Sequence, residues 1–424
     1  MSKPGDYFQY RDGVLETDGV PLDQIAEEFG TPLYVYSARA MLEPLEKLKA
    51  GLRGIDASIC FALKSNSNLA VIGLLSAAGA GADVVSGGEL FRAKQAEIPS
   101  DQIVFSGVGK TPDEIREALL QKIQSFNVES SEELASISRI AEQMGARAQV
   151  ALRFNPDVDA KTHPYVSTGL RKNKFGLQRR EVLEIVRRLR AFPGVSLRGI
   201  SIHIGSQLLD LSPLSSSFER LKTLALEIEA IMGKKLDFLD LGGGVGISYG
   251  DEKSPTIEKY CALIQKHFGP RSAGGLHRRI MLEPGRLITG NAGVLISRVI
   301  YRKERKEKDF LVLDAGMNDL LRPALYGSFH DIVPLKRLGG AMRKTDVVGP
   351  VCESADCFAS DRRLPKRLRS GDLVAILSTG AYGFTMASNY NTRPRSAEVL
   401  VQDGARRLVR ARETYEDLIR GEQP

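Results

Sequence analysis

The sequence predicts an α/β protein: a (β/α)8 TIM-type barrel over residues 36–287, and a β-rich domain, barrel- or sandwich-like, formed by residues 1–35 and 288–424. Three observations carry this. The chain has 424 residues, more than one ordinary hydrophobic core accommodates. Between about residues 55 and 287, eight short β-branched or aromatic runs alternate with amphipathic stretches. After about residue 290 strand-like runs continue without long helices between them.

The eight runs, in order, are ASICFALK (57–64), ADVVS (82–86), IVFSG (103–107), SFNVES (125–130), AQVALRFN (148–155), LRGISIHIGS (197–206), LDFLDLGG (236–243) and RIMLEPG (279–285). Helices are expected at 112–121, with Thr111 as N-cap and Pro112 in the first helical position. Others are expected at 131–145, capped by Ser130 or Ser131 and stopped by Gly145, and at 180–191. Strict βα alternation favours a closed barrel; an open doubly wound sheet is the structural alternative. In the second domain GVLISRVIYRKER, DFLVLDAG, DVVGPV, DLVAILSTG and AEVLV read as strands. The first 35 residues carry one helical stretch, 22–29, and group with this β-rich part.

Composition narrows the function classes. Apolar residues are 42% and charged residues 26% of the chain, the balance of a globular protein. The net charge of +7 suits anionic small ligands or nucleic acid. The basic stretches 302–308 and 362–369 lack interleaved aromatics and read as solvated surface, so no nucleic-acid partner is expected. The polar start carries no signal-peptide pattern. The apolar stretch 69–85 is rich in Ala and Gly and broken by Asp83, so no membrane partner is expected. Cys60, Cys261, Cys352 and Cys357 form no C-x-x-C pair, no metal site is expected, and a reducing cytoplasm is the expected location.

Barrel chemistry gathers at the C-terminal ends of the strands. Lys64 ends the first run, where a partly desolvated amine can form a Schiff base; alone, it reads more readily as a surface lysine at a strand end. Glycines 242–244 end the seventh run, where backbone N–H groups can approach a phosphate; alone, they are also a tight turn, and G-G-G-x-G lacks dinucleotide spacing. His203 is read inside an apolar strand, level with Lys64, able to stack on a planar ring, and Ser206 can donate to a phosphate. Glu283, followed by Pro284, Gly285 and Arg286, can pair with a pyridine nitrogen and favour the protonated ring; a rim salt bridge to Arg286 is the alternative. In the β-rich part, Arg322 and Tyr326 share a helical face. Cys352 lies on a loop where a thiol can donate a proton, with Glu353 beside it, and Tyr382 sits in a glycine-flanked loop.

Together FALKSNSN, RFNPDVDAKTHPYVSTGLRKNKFG, SIHIGSQ, LDLGGGVGI, EPGR, RPALYGSFHDI and GPVCESAD resemble the diaminopimelate decarboxylases, in the alanine-racemase-like fold group of pyridoxal-phosphate enzymes. The resemblance runs from about residue 34 to about 395; Asn173 departs from it where many members carry Ser. It implies pyridoxal 5'-phosphate as cofactor, with Lys64 as the Schiff-base lysine, His203 on the ring and Glu283 at the pyridine nitrogen. It implies Ser206, Gly243, Gly244, Pro284, Gly285, Arg286 and Tyr382 around the cofactor, and Arg286, Arg322, Tyr326, Glu353 and Tyr382 around the substrate. Cys352 is implied as proton donor from the second subunit of a homodimer with shared active sites. The implied reaction turns meso-diaminopimelate into L-lysine and carbon dioxide, the last step of lysine biosynthesis.

The residues weigh against the rivals. Racemases of the related fold tend to place Arg at the pyridine nitrogen, where this chain has Glu283. A silent binding homologue is expected to lose Lys64 or Cys352, and both are present. Ornithine-type enzymes carry Asp after the Cys, where this chain has Glu353, and Arg286 and Arg322 can bind a distal carboxylate in forked geometry that ornithine lacks.

Overall fold

In the computed structural model, residues 7–159, 174–272 and 278–423 are described; Asn173 lies outside them. The chain divides into two compact units, one of residues 1–43, 248–252 and 288–424, the other of residues 44–247 and 253–287.

The first unit starts with a small antiparallel sheet of β1 (Gln9–Arg11), β2 (Val14–Thr17) and β3 (Val20–Pro21). β4 (Leu33–Ser37) enters a nine-stranded sheet instead.

The second unit contains the eight strands β5 (Ala57–Ala62), β6 (Gly81–Val84), β7 (Ile103–Phe105), β8 (Ser125–Val128), β9 (Ala148–Arg153), β10 (Val195–Ser201), β11 (Phe238–Asp240) and β12 (Arg279–Leu282). Every neighbouring pair is parallel, and β12 pairs β5, so the sheet closes into a barrel and the open-sheet alternative falls. Cys60, Val104, Ala151, Phe238 and Met281 pack as a buried cluster contributed by five strands. Gly199, at a register shift in β10, lies under Phe238; a Cβ there would meet the ring at 2.5 Å. Ring volume and missing side chain thus fit one another in a close-packed interior. The helix Pro112–Gln121 starts with the capping box of Thr111 and Glu114, and Ser130 caps Ser131–Gln143. The helix expected at 180–191 is Arg179–Arg187 followed by a 3-10 turn, Leu189–Ala191.

The first unit continues with β13 (Gly293–Lys303), β14 (Asp309–Leu313), β15 (Ile332–Pro334), β16 (Met342–Val348), β17 (Cys357–Pro365), β18 (Leu373–Ile376), β19 (Ala397–Gln402) and β20 (Ala405–Arg410). The sheet runs β17-β16-β14-β13-β4-β19-β20, with β15 and β18 off this path. Alternate residues of three strands, Leu33 and Val35, Val294 and Ile296, Val399 and Val401, enter one core, as the two-residue period of strands requires. On the opposite alternation Tyr34 and Tyr36 are also buried, and their hydroxyls donate to the Asp319 carbonyl at 2.6 Å and Glu398 at 2.7 Å.

Candidate active site

The end of β5 turns into a 3-10 segment, Leu63–Ser65, which places Lys64 just past the strand. Its Nζ donates to Asp83 Oδ2 on β6 at 2.6 Å, and its side chain keeps a third of its exposure. Glu283 follows β12 and is buried. Its Oε1 accepts from Asn127 Nδ2 at 3.0 Å and Ser106 Oγ at 3.3 Å, while Asn127 Nδ2 also donates to Asp240 Oδ2 at 3.0 Å. Burial first, then the charges of Asp240 and Asp83, push the Glu283 carboxyl well above its usual range. Burial likewise raises Asp240 to about 6.

His203 lies beyond the last residue of β10, Ser201, not inside the strand as the sequence reading had it. The named ladder between β10 and β11 ends at Ser201 and Asp240, and after one further bond, from the Ile202 N–H to the Asp240 carbonyl at 2.9 Å, His203 follows outside the strand. His203 Nδ1 accepts from the Gly243 N–H at 3.3 Å, which leaves the proton on Nε2. Burial and the adjacent Arg153 hold this ring well below the ordinary histidine pKa, so it is neutral. Arg153, at the end of β9, donates to Glu129 at 2.5 Å and to the His203 carbonyl at 3.3 Å, and covers the Phe175 ring at 4.9 Å.

The glycine turn is a place of close backbone approach. A Cβ on Gly243 would lie 2.2 Å from the Glu283 carbonyl, and one on Gly244 2.1 Å from that of Gly205; Gly244 also has φ +103°. Pro284 and Gly285 follow Glu283, and Gly285 packs on Ser65. Arg286 is buried and donates from Nη2 to Ser206 Oγ at 3.2 Å.

The remaining candidates belong to the other unit. The five-residue helix Arg322–Tyr326 puts the Arg322 guanidinium 5.8 Å from the Tyr326 ring and 5.3 Å from that of Tyr249. Arg322 donates to His330 Nε2 at 3.4 Å and Ser328 Oγ at 3.2 Å. Cys352 and Glu353 are exposed; the Cys352 N–H donates to Asn391 Oδ1 at 2.8 Å, and the Tyr390 hydroxyl to Glu353 at 3.4 Å. Tyr382 has φ +56°, in the left-handed region.

The sequence reading missed Asp83, Ser106, Asn127 and Asp240 on the barrel, and Tyr249, Ser328 and His330 around Arg322. The available signal was an acid inside an apolar strand, as in ADVV and LDL. The barrel residues suit a cationic, planar aldehyde cofactor: a strand-end amine for the aldehyde and buried acids for a ring N–H. Asp83 Oδ1 and Asn127 Oδ1 are buried with no hydrogen-bond partner among the described residues, so the cluster is not closed on itself.

Residues 40–290 match the family model for the pyridoxal-binding domain of pyridoxal-dependent decarboxylases. A diaminopimelate decarboxylase of Pseudomonas aeruginosa is 47% identical over 98% of this chain and 99% of its own. That of Aquifex aeolicus is 44% identical over 97% of this chain and 96% of its own. The chain belongs to the diaminopimelate decarboxylase family. The crystal structure of the M. jannaschii diaminopimelate decarboxylase with L-lysine superposes with a TM-score of 0.92, at 37% identity, over 100% of this chain and 99% of that one. As a member of the family, the protein is a pyridoxal-phosphate-dependent carboxy-lyase. Among the described residues no helix is long and apolar enough to cross a membrane.

Proposed function

We propose that this decarboxylase converts meso-2,6-diaminopimelate into L-lysine and carbon dioxide, closing lysine biosynthesis in the cytoplasm. Similarity to diaminopimelate decarboxylases over nearly the whole chain supports the substrate. The observation that carries the chemistry is the pairing of an amine, Lys64, with buried acids ending in Glu283.

When bound, pyridoxal phosphate supplies an electron sink for the pair left on Cα as the carboxylate departs. Lys64 would hold the cofactor's aldehyde through its amine. Glu283 would meet the ring nitrogen and favour its protonated form. His203, neutral and fixed by Gly243, would stack on the cofactor's ring. Ser206, Gly243, Gly244, Pro284, Gly285, Arg286 and Tyr382 line the cofactor. Arg286 and Arg322 grip the distal carboxylate in forked, charge-assisted bonds, Glu353 meets the distal ammonium, and Tyr326 and Tyr382 shape the space. The partner subunit's Cys352 delivers a proton from Sγ to Cα. Residues 36–287 serve as the cofactor-binding domain; residues 1–35 and 288–424 complete the active site and the dimer interface, and a monomer is inactive.

The test is carbon dioxide release by the purified, cofactor-loaded protein from meso-diaminopimelate, ornithine, arginine and lysine in separate reactions. Release from diaminopimelate alone is expected. Release only from ornithine, arginine or lysine would refute the assignment of Arg322 and Glu353.

A further inference from the structure

Asn127 of β8 and Ser106, the residue after β7, are buried and meet Glu283 at one atom. Asn127 Nδ2 donates to Glu283 Oε1 at 3.0 Å, and Ser106 Oγ donates to the same oxygen at 3.3 Å. Asn127 Nδ2 also reaches Asp240 Oδ2 at 3.0 Å and Ser106 Oγ at 3.1 Å. The opposite amide orientation would set Oδ1 against two acidic side chains and forfeit the N–H donors. Asn127 Oδ1, on the other side, is buried with no hydrogen-bond partner among the described residues. An unpaired buried oxygen is costly, and a residue kept for packing alone would not carry one. The amide is therefore held for what its nitrogen does. Lys110 fixes the backbones that carry both donors. Its side chain is buried, and Nζ donates to the Gly107 and Asn127 carbonyls at 2.8 Å each and to Glu133 Oε1 at 2.6 Å. Each N–H of that ammonium thus has its acceptor. Asp240 accepts on both oxygens, from the Gly242 N–H at 2.9 Å and from Asn127, the pattern of an ionised carboxylate. A carboxylic acid accepts through its carbonyl oxygen, so a proton carried by Glu283 belongs on Oε2, not on Oε1.

Resting on the reading of Glu283 given above, we propose that Asn127, together with Ser106, is a positioning residue for the decarboxylation: the two donors hold Oε1 of Glu283, which keeps Oε2 for the cofactor's ring nitrogen and stabilises Glu283 as the carboxylate. Glu283 is faced by Asp240 and Asp83, which oppose its ionisation, by Lys64, which favours it, and by the Cys60 thiol. Burial and the two acids outweigh Lys64 and push its carboxyl well above the usual range. Hydrogen bonds donated to the charged form work in the opposite direction. Asn127 does so from between the two carboxyls, where one amide nitrogen serves both. A hydrogen bond to a charged group shifts such a balance by about one to two pH units.

The experiment is nitrogen NMR of the protein loaded with pyridoxal phosphate isotopically labelled at the ring nitrogen, followed as a function of pH. The labelled atom reports whether it carries a proton, a readout that a purely structural role of Asn127 would not move. Asn127→Leu keeps the branched outline and removes the N–H donors. The pH at which the ring nitrogen loses its proton is expected to fall in this variant by about one to two units. Ser106→Ala removes one longer bond and disturbs the core less, so the same fall is expected in smaller measure, and this variant decides the matter if Asn127→Leu does not fold. A folded, cofactor-loaded variant of either kind that titrates like wild type overturns the proposal. Glu283→Gln separates the two readings. An unshifted titration there removes the role of Glu283 and the proposal with it. A shifted titration in Glu283→Gln beside an unshifted one in Asn127→Leu removes the proposal alone.

Discussion

Replacing Arg153 by Met tests whether the buried ion pair beside His203 organises the rim of the barrel. Arg153 and Glu129 meet at 2.5 Å with side-chain exposures of 10% and 3%. Removing the cation leaves a buried carboxylate, a loss of about 3–5 kcal/mol in comparable sites. Glu129 still accepts the Gly176 N–H at 2.8 Å, which places the expected cost of Arg153→Met at the lower end, about 3 kcal/mol. The double variant Arg153→Met, Glu129→Gln retains an acceptor for Gly176 and buries no lone charge, so its expected cost is only about 1 kcal/mol. The assay is urea unfolding followed by circular dichroism, compared at equal m-value. A single variant within about 0.5 kcal/mol of wild type, or a double variant as unstable as the single, would refute the reasoning. Because Arg153 is also a cause of the low His203 pKa, after burial, the single variant is expected to raise the pH at which His203 protonates, measured by NMR.

Two carboxyls are expected to act on stability with opposite sign. For Glu413, burial alone would raise the pKa, but hydrogen bonds from Arg395 and Asn389 overcome it and hold the group at about 2. The stability it contributes is present above the ordinary glutamate pKa and is lost as pH falls toward about 2; Glu413→Gln should flatten acid unfolding in that window. Glu89 is raised to about 7, by burial against the opposing pull of Lys64, so its contribution is present at acid pH and is lost as pH rises through about 7. Glu89→Gln should remove that decline in thermal-melt titrations. Lys64→Ala is expected to abolish the visible absorbance of lysine-bound cofactor; retained absorbance would contradict its role. Cys352→Ala should keep the cofactor and lower kcat by about 10²–10⁴-fold, and near-normal turnover would remove it as the acid.

The barrel was legible because its strands are apolar runs closed by glycines and caps, as at Thr111 and Ser130. β17 and β20 were missed in the sequence because their residues, CFASDRRLP and ARRLVR, are largely polar, and three-residue β15 is too short to show a period. β4 ends inside the span read as barrel, yet pairs with β13 and β19; a buried strand of five residues carries no mark of its sheet. Lys64 and Glu283 could be named because each is an ionisable residue where an apolar run breaks. Asp83 and Asp240 hid within such runs, and only barrel closure brings them together with Asn127 and Glu283. The extent of the sixth strand was overread because the apolar pattern continues through Ile202 and Ile204 after the ladder with β11 has stopped.

The most direct test of the central claim is the ratio of kcat/KM for meso-diaminopimelate to that for ornithine, with lysine counted against carbon dioxide. The expected result is a ratio well above one, with one lysine per carbon dioxide released. A ratio below one, or carbon dioxide without lysine, would contradict it.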